Sequence, residues 1–253
     1  TYSSTRKFLP KTKITKDEAK KMINRLKNKG KRFKLSYDGQ VLRIINLPKN
    51  YKDYPYILAS FPNSYYEKKM WYTKQRTKND LTPAKTAKLM SDEDKDLICE
   101  KVKKNLELRL NIDYRKSLTS DWKEELSNTY RDTSLNRSLN AYVKAAKARK
   151  IVASSSQIVV DPSSLWTDKG GSSCYVRVYT KFRVKSGQVP SAKSSLQNEV
   201  IYGSYTALKN LSSKKTVTFM DEIKVNVSYT NGKMTSYGID WGGDSLADVI
   251  GNK

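Results

Sequence analysis

The spacing of apolar residues changes at Ile151, and this change constrains the fold more than any other feature of the chain. Before it, apolar residues recur every three or four positions. After it they alternate, as in CYVRVYTKFRVK from Cys174. A period near 3.6 belongs to helices with one buried stripe, and a period of two belongs to strands with one buried face. The alternation puts Cys174, Val176, Val178, Thr180, Phe182 and Val184 on one face, and Tyr175, Arg177, Tyr179, Lys181, Arg183 and Lys185 on the other. IVASSSQIVVDP opens the strand-rich part and VIYGSYTAL is a weaker run. EIKVNVSYT and KMTSYGIDW flank Asn231-Gly232, a dipeptide that favours a type I′ hairpin. Together these predict an antiparallel sheet over residues 151–253.

Helices precede it. Thr15 with Glu18 has the form of a capping box ahead of Ala19, Met22, Ile23 and Leu26. Ser91 followed by Asp92, Glu93 and Asp94 predicts a helix start with Ile98, Val102, Leu106 and Leu110 behind it. Trp122, Leu126 and Tyr130 mark another helix, and Leu135, Leu139, Tyr142, Val143 and Ala146 a third. Between them, RFKLSY and QVLRIINL flank Asp38-Gly39, a hairpin signal, and a short helix is expected after Pro83. The predicted class is α+β: an N-terminal helix and hairpin, central helices and a C-terminal antiparallel sheet. The polar stretch 73–90 is the best internal boundary, dividing a basic part, 1–90, from helices packed on a sheet, 91–253, unless the two form one continuous domain. The serine runs at 154–156 and 191–195 read as loops.

Residues 42–67, LRIINLPKNYKDYPYILASFPNSYYE, hold five tyrosines and three prolines. The prolines keep this stretch out of regular structure, and two readings compete: an ordered strap laid over the core, or an aromatic grip for a partner.

Charge narrows the partners. Lys and Arg number 49 against 25 acidic residues, a net +24, and residues 1–50 carry 15 basic and 3 acidic residues. Such an excess draws a chain toward nucleic acid, anionic lipid or acidic wall polymer. A weak polyanion-binding set is Lys27, Lys29, Lys31 and Arg32 with Tyr175, Arg177, Tyr179, Lys181, Arg183 and Lys185. A solvated sheet face explains the strand residues equally well. There is no histidine, which removes Ser-His and Cys-His nucleophiles and metal sites built on imidazole. No catalytic residue, metal or cofactor is predicted, and the expected role is non-enzymatic. Cys99 and Cys174 form a disulfide on one reading and stay as buried thiols on another. No run is long enough to span a membrane, and TYSSTRKFLP lacks the pattern of a signal peptide. TYSSTRKFLP is instead a candidate extra strand for a neighbouring copy, so self-association is expected.

YDGQVLRIINLPKNYKDYPYILASFPNSYYE, LNIDYRKSLTSDW, and the run from LNAYVKAAKARKIV to YVRVYTKFRV carry a resemblance. They resemble secreted Gram-positive proteins of the copper amine oxidase N-terminal domain (stalk domain) family, in the region beyond the stalk module. The resemblance covers roughly residues 35–185, most strongly 37–67, and the stalk module itself has no counterpart here. It implies an extracellular, surface-associated structural role with no assigned reaction. In that light the excess charge becomes affinity for anionic cell-wall polymer, and the Tyr/Pro stretch becomes a strap. The copper chemistry of the family name does not transfer to a chain without histidine.

Overall fold

A computed structural model describes residues 13–28, 30, 32–131, 136–148, 150–187 and 216–240. Several expectations fall outside these residues: TYSSTRKFLP, Lys29, Lys31, Leu135, the serine run at 191–195 and VIYGSYTAL. The described helices are α1 (Lys16–Lys27), α2 (Asn63–Glu67), α3 (Trp71–Gln75), α4 (Pro83–Leu89), α5 (Asp92–Leu110), α6 (Ser120–Ser127) and α7 (Asn136–Ala148). The strands are β1 (Ile112–Asp113), β2 (Val152–Thr167), β3 (Ser173–Ser186), β4 (Val217–Thr230) and β5 (Lys233–Ile239). They pair antiparallel in chain order, β1-β2-β3-β4-β5, and the sheet curls into a half-barrel. The class is α+β.

The curl has local causes in β2, whose pairing with β3 shifts register at Val152/Ala153, Ser155/Gln157 and Asp161/Trp166. Each irregularity bends the strand and increases its twist. At the third, Pro162 has no N–H for the ladder. The Asp161 carboxylate accepts from the Ser163 amide at 2.9 Å and hydroxyl at 2.7 Å, and the Ser164 hydroxyl donates to the Asp161 carbonyl at 2.7 Å. The serines at 154–156 lie within β2 and not in a loop. Ser154 pairs with Arg183 and Ser155 with Phe182, and Asn111 Oδ1 accepts from both the amide and hydroxyl of Ser155. Asn231 and Gly232 both adopt positive φ, 51° and 75°, as a type I′ turn requires.

One face of the sheet carries Cys174, Val176, Val178, Phe182 and Val184 into the main core. They meet Ile98, Val102, Leu106 and Leu110 of α5 and Ile223, Val225 and Val227 of β4. Ser91 caps α5, its hydroxyl accepting from the Asp94 amide, and the acidic first turn lies at the positive end of the helix dipole. Thr82 caps α4 in the same way with Pro83 at the first helical position. Cys99 and Cys174 are free thiols in this core, as in the second of the two readings of the pair. One sits on α5 and the other on β3, each packed as a small apolar side chain. Burial pushes the Cys174 thiol up to about 12 and raises Cys99 well above its ordinary value.

The opposite face is covered by the Tyr/Pro stretch. Tyr54, Ile57, Leu58, Phe61, Tyr65 and Tyr66 form a second core with Val159, Tyr179 and Met220 of the sheet. Tyr65 stacks on Phe61 at 4.2 Å between ring centres, and Tyr54 meets Tyr66 edge-on at 4.9 Å. The Tyr54 hydroxyl donates to the Tyr66 carbonyl, and the Tyr66 hydroxyl accepts from the Leu58 amide. Only Tyr51 of the five tyrosines is exposed, so the stretch is an ordered strap. Burying each large apolar side chain is worth roughly 1.5–3 kcal/mol.

The hairpin expected about Asp38-Gly39 forms its turn, with Gly39 at φ 79°, but the ladder is a single bridge, Leu35 to Val41. The second run leaves it to pair with the strap: the Arg43 amide donates to the Ile57 carbonyl, and Leu42 bridges Leu58. Tyr130 lies past the end of α6 rather than within it, in a parallel bridge to Ile239. Here Gly238 has a specific purpose. A Cβ on it would lie 2.5 Å from the Arg131 amide nitrogen and 2.7 Å from the Tyr130 carbonyl carbon. Gly238→Ala is expected to lower stability by roughly 1–3 kcal/mol through forced backbone displacement, measured as a fall in the urea midpoint at unchanged slope.

Candidate functional site

The amino-terminal basic residues stand on and beside α1. The helix begins with a complete capping box: the Glu18 amide donates to the Thr15 hydroxyl and the Thr15 amide to the Glu18 carboxylate. At its other end, Arg32 closes the chain, Nε donating to the Arg25 carbonyl at 3.2 Å and Nη2 to the Leu26 carbonyl at 3.0 Å. Lys27 and Arg32 are exposed, as are Lys13, Lys16, Lys20, Lys21 and Lys34.

The β3 set is divided by the strap. Arg183 and Lys185 are exposed and Lys181 is partly so, its ammonium 5.6 Å from the Tyr179 ring centre. Tyr179 packs against Phe61, and Tyr175 stacks on Trp166 at 4.1 Å and meets Tyr72 at 4.7 Å. These rings are committed to the fold. Arg177 is the clearest correction: it is 3% exposed and reaches no solvent-borne polyanion. The strap covers the face that alternation alone assigned to water.

Arg177 stands in a row across three strands, Asp161 of β2 paired with it on one side and Glu222 of β4 on the other. All three are buried. The guanidinium places all five of its N–H groups. Nε donates to Glu222 Oε1 at 3.3 Å. Nη1 donates to the carbonyls of Tyr65 and Tyr66 at 2.6 and 3.2 Å, and Nη2 to the Lys68 carbonyl at 2.8 Å and the Thr73 hydroxyl at 3.2 Å. Glu222 in turn accepts from the Thr73 amide at 2.8 Å and from the Thr73 hydroxyl. The Arg177 amide donates to the Ser164 hydroxyl at 2.8 Å.

Burial raises the Asp161 carboxyl to about 6, offset in part by the bonds from Ser163, the charge of Arg177 and the nearby Tyr66 hydroxyl. Sequence reasoning found Arg177 but misassigned it, and missed Asp161, Glu222 and Thr73. The available signal was an arginine early in an alternating run and an acidic pair, Asp221-Glu222, in a later run of the same period.

Elsewhere an open cleft is lined by Tyr114, Arg115, Lys150 and Ser186. Arg115 is bound there to Asp113 at 2.5 Å and holds that carboxyl down to about 2. Asp240 pairs with Lys224 at 2.8 Å. Among the described residues, no group of three His, Cys, Asp or Glu is placed to hold a metal ion. No protein-family model, curated protein or solved structure matches this chain.

Two predictions follow from the Arg177 row. Arg177→Ala leaves Glu222 buried without its counter-charge and is expected to cost roughly 3–5 kcal/mol. Arg177→Leu combined with Glu222→Leu should recover part of this, read by chemical denaturation of all three proteins. Asp161 sets a pH dependence. Its folded pKa is raised, so its favourable contribution is full below its unfolded value of about 3.9 and is lost as pH rises through about 6. Intact protein should therefore lose stability relative to Asp161→Asn between about pH 4 and pH 6, and a difference constant with pH would refute this.

Proposed function

We propose that this chain is a non-enzymatic extracellular surface protein that holds an anionic cell-wall polymer through the basic face of its amino-terminal part. The observation that carries the reading is the division of charge. Several carboxylates are used for structure: Glu18 in the cap of α1, Asp80 and Asp168 in turns, Asp113 on Arg115, Asp161 and Glu222 within the core. Lys13, Lys16, Lys20, Lys21, Lys27 and Lys34 are left on the surface, and the whole chain carries +24. The extracellular placement rests on the likeness of residues 37–67 to stalk-domain proteins. The non-enzymatic assignment rests on the Asp161-Arg177-Glu222 row, which is sealed beneath the strap with every guanidinium hydrogen in use, so its charges serve folding rather than a substrate.

Binding to purified teichoic acid, followed by titration at rising salt, tests the proposal. Affinity is expected to fall by roughly tenfold or more between 50 and 200 mM NaCl as released counterions cease to favour the complex. Equal binding to an uncharged glucan, or indifference to salt, overturns it. Stronger retention of single-stranded nucleic acid at matched phosphate concentration would move the assignment to a nucleic-acid-binding module.

A further inference from the structure

Helix α1 has an apolar stripe and no buried residue. Ala19, Met22, Ile23 and Leu26 fall at the spacing that aligns side chains on one face. Yet Met22, Ile23 and Leu26 are 44%, 52% and 70% exposed. A twelve-residue helix is marginal in water on its backbone bonds alone, and most helices owe their stability to the packing of such a face.

Further exposed apolar side chains follow the helix in the segment tied to its end. Arg32 ties the following segment to the last carbonyls of α1, and the Arg25 guanidinium lies 3.9 Å over the Phe33 ring. Phe33 and Leu35 are themselves exposed. The described residues of 13–43 include nine Lys and Arg against three acidic residues. Helical geometry places Lys16, Lys20 and Lys27 along one margin of the stripe, with Asp17 on the far side.

We propose that α1 and the segment tied to it form a docking face for the surface of an anionic phospholipid bilayer. Met22, Ile23 and Leu26 enter the acyl boundary while the flanking lysines meet headgroup phosphates, with the helix lying in the plane of the interface. Charge complementarity selects this occupant. A second copy brings another +24 and repels the same lysines. A soluble polyanion satisfies the lysines but leaves the apolar stripe in water. An anionic bilayer supplies phosphate and hydrocarbon together. No described helix is long and apolar enough to cross a membrane, consistent with α1 lying on the surface. The inference goes beyond the wall-polymer reading, which needs only the lysines.

Co-sedimentation with vesicles tests it, using intact chain, Ile23→Ser with Leu26→Ser, and a triple Lys16→Ser, Lys20→Ser, Lys27→Ser variant. Every substituted side chain is exposed, and unchanged thermal midpoints would verify the fold. Intact protein is expected to bind phosphatidylglycerol-containing vesicles and not pure phosphatidylcholine. The apolar variant should bind these vesicles at least about tenfold more weakly, while its affinity for soluble teichoic acid is unchanged. The lysine variant should lose affinity for both. Equal vesicle binding by the intact and apolar-variant proteins overturns the proposal whether or not the wall polymer binds. So does a concentration-dependent dimer of the intact chain that the apolar substitutions abolish, since the occupant of the face would then be a second copy.

Discussion

The side chain of Arg177 is the point through which the strap and the sheet are joined. The carbonyls of Tyr65, Tyr66 and Lys68 lie at the carboxy-terminal end of the short helix α2, where the last peptide oxygens have no partner within the helix. A helix end of that polarity favours a cation. A guanidinium from the middle of β3 satisfies them with a planar fork of donors that lysine could not reproduce. The cost of removing that cation from water is large, and the two carboxylates beside it offset part of the cost. The strap and the row of charges therefore depend on each other: the strap excludes water from Arg177, and Arg177 satisfies the strap's backbone.

This arrangement decides which surface remains for a partner. Three successive cross-strand rows on this face, Trp166 with Tyr175, Asp161 with Arg177 and Glu222, and Val159 with Tyr179 and Met220, are filled by ring stacking, ion pairing and apolar contact in turn. Their aromatic and basic composition is what a base-stacking sheet would show, but the chain's own tyrosines occupy the place a ligand would take. Beyond them Arg183 and Lys185 emerge into solvent, where the strap no longer covers the strand. The opposite face is occupied by α5, and the amino-terminal helix has no buried residue.

The fold was legible where a local rule and burial agreed. The capping box of α1, the Ser91 start of α5, the turn at Asn231-Gly232 and the alternation through β3 all form as their chemistry dictates. Misreadings arose where tertiary contacts override local preference. Ser154–Ser156 look like a loop because serine solvates well, yet they lie in the ladder because their neighbours on β3 supply partners. The wet face of β3 was misassigned because alternation reports that two faces differ, not what covers each of them. Arg177 illustrates the limit: its position in the sequence fits an exposed basic face, and only the carbonyls of a segment more than a hundred residues away make it internal.

The same contacts account for the way charge is apportioned. Carboxylates accept hydrogen bonds at short range from amides and hydroxyls, so several of them serve in caps, turns and bulges, as at Glu18, Asp80, Asp161 and Asp168. Lysine has no such local use: its ammonium lies at the end of a flexible stem and is strongly hydrated. Asp161 and Glu222 are withdrawn from the surface by their structural use, whereas Glu18 supports the cap of α1 while remaining exposed. On α1 the exposed cations Lys16, Lys20, Lys21 and Lys27 outnumber Asp17 and Glu18, and they share the helix with the exposed apolar side chains of Met22, Ile23 and Leu26.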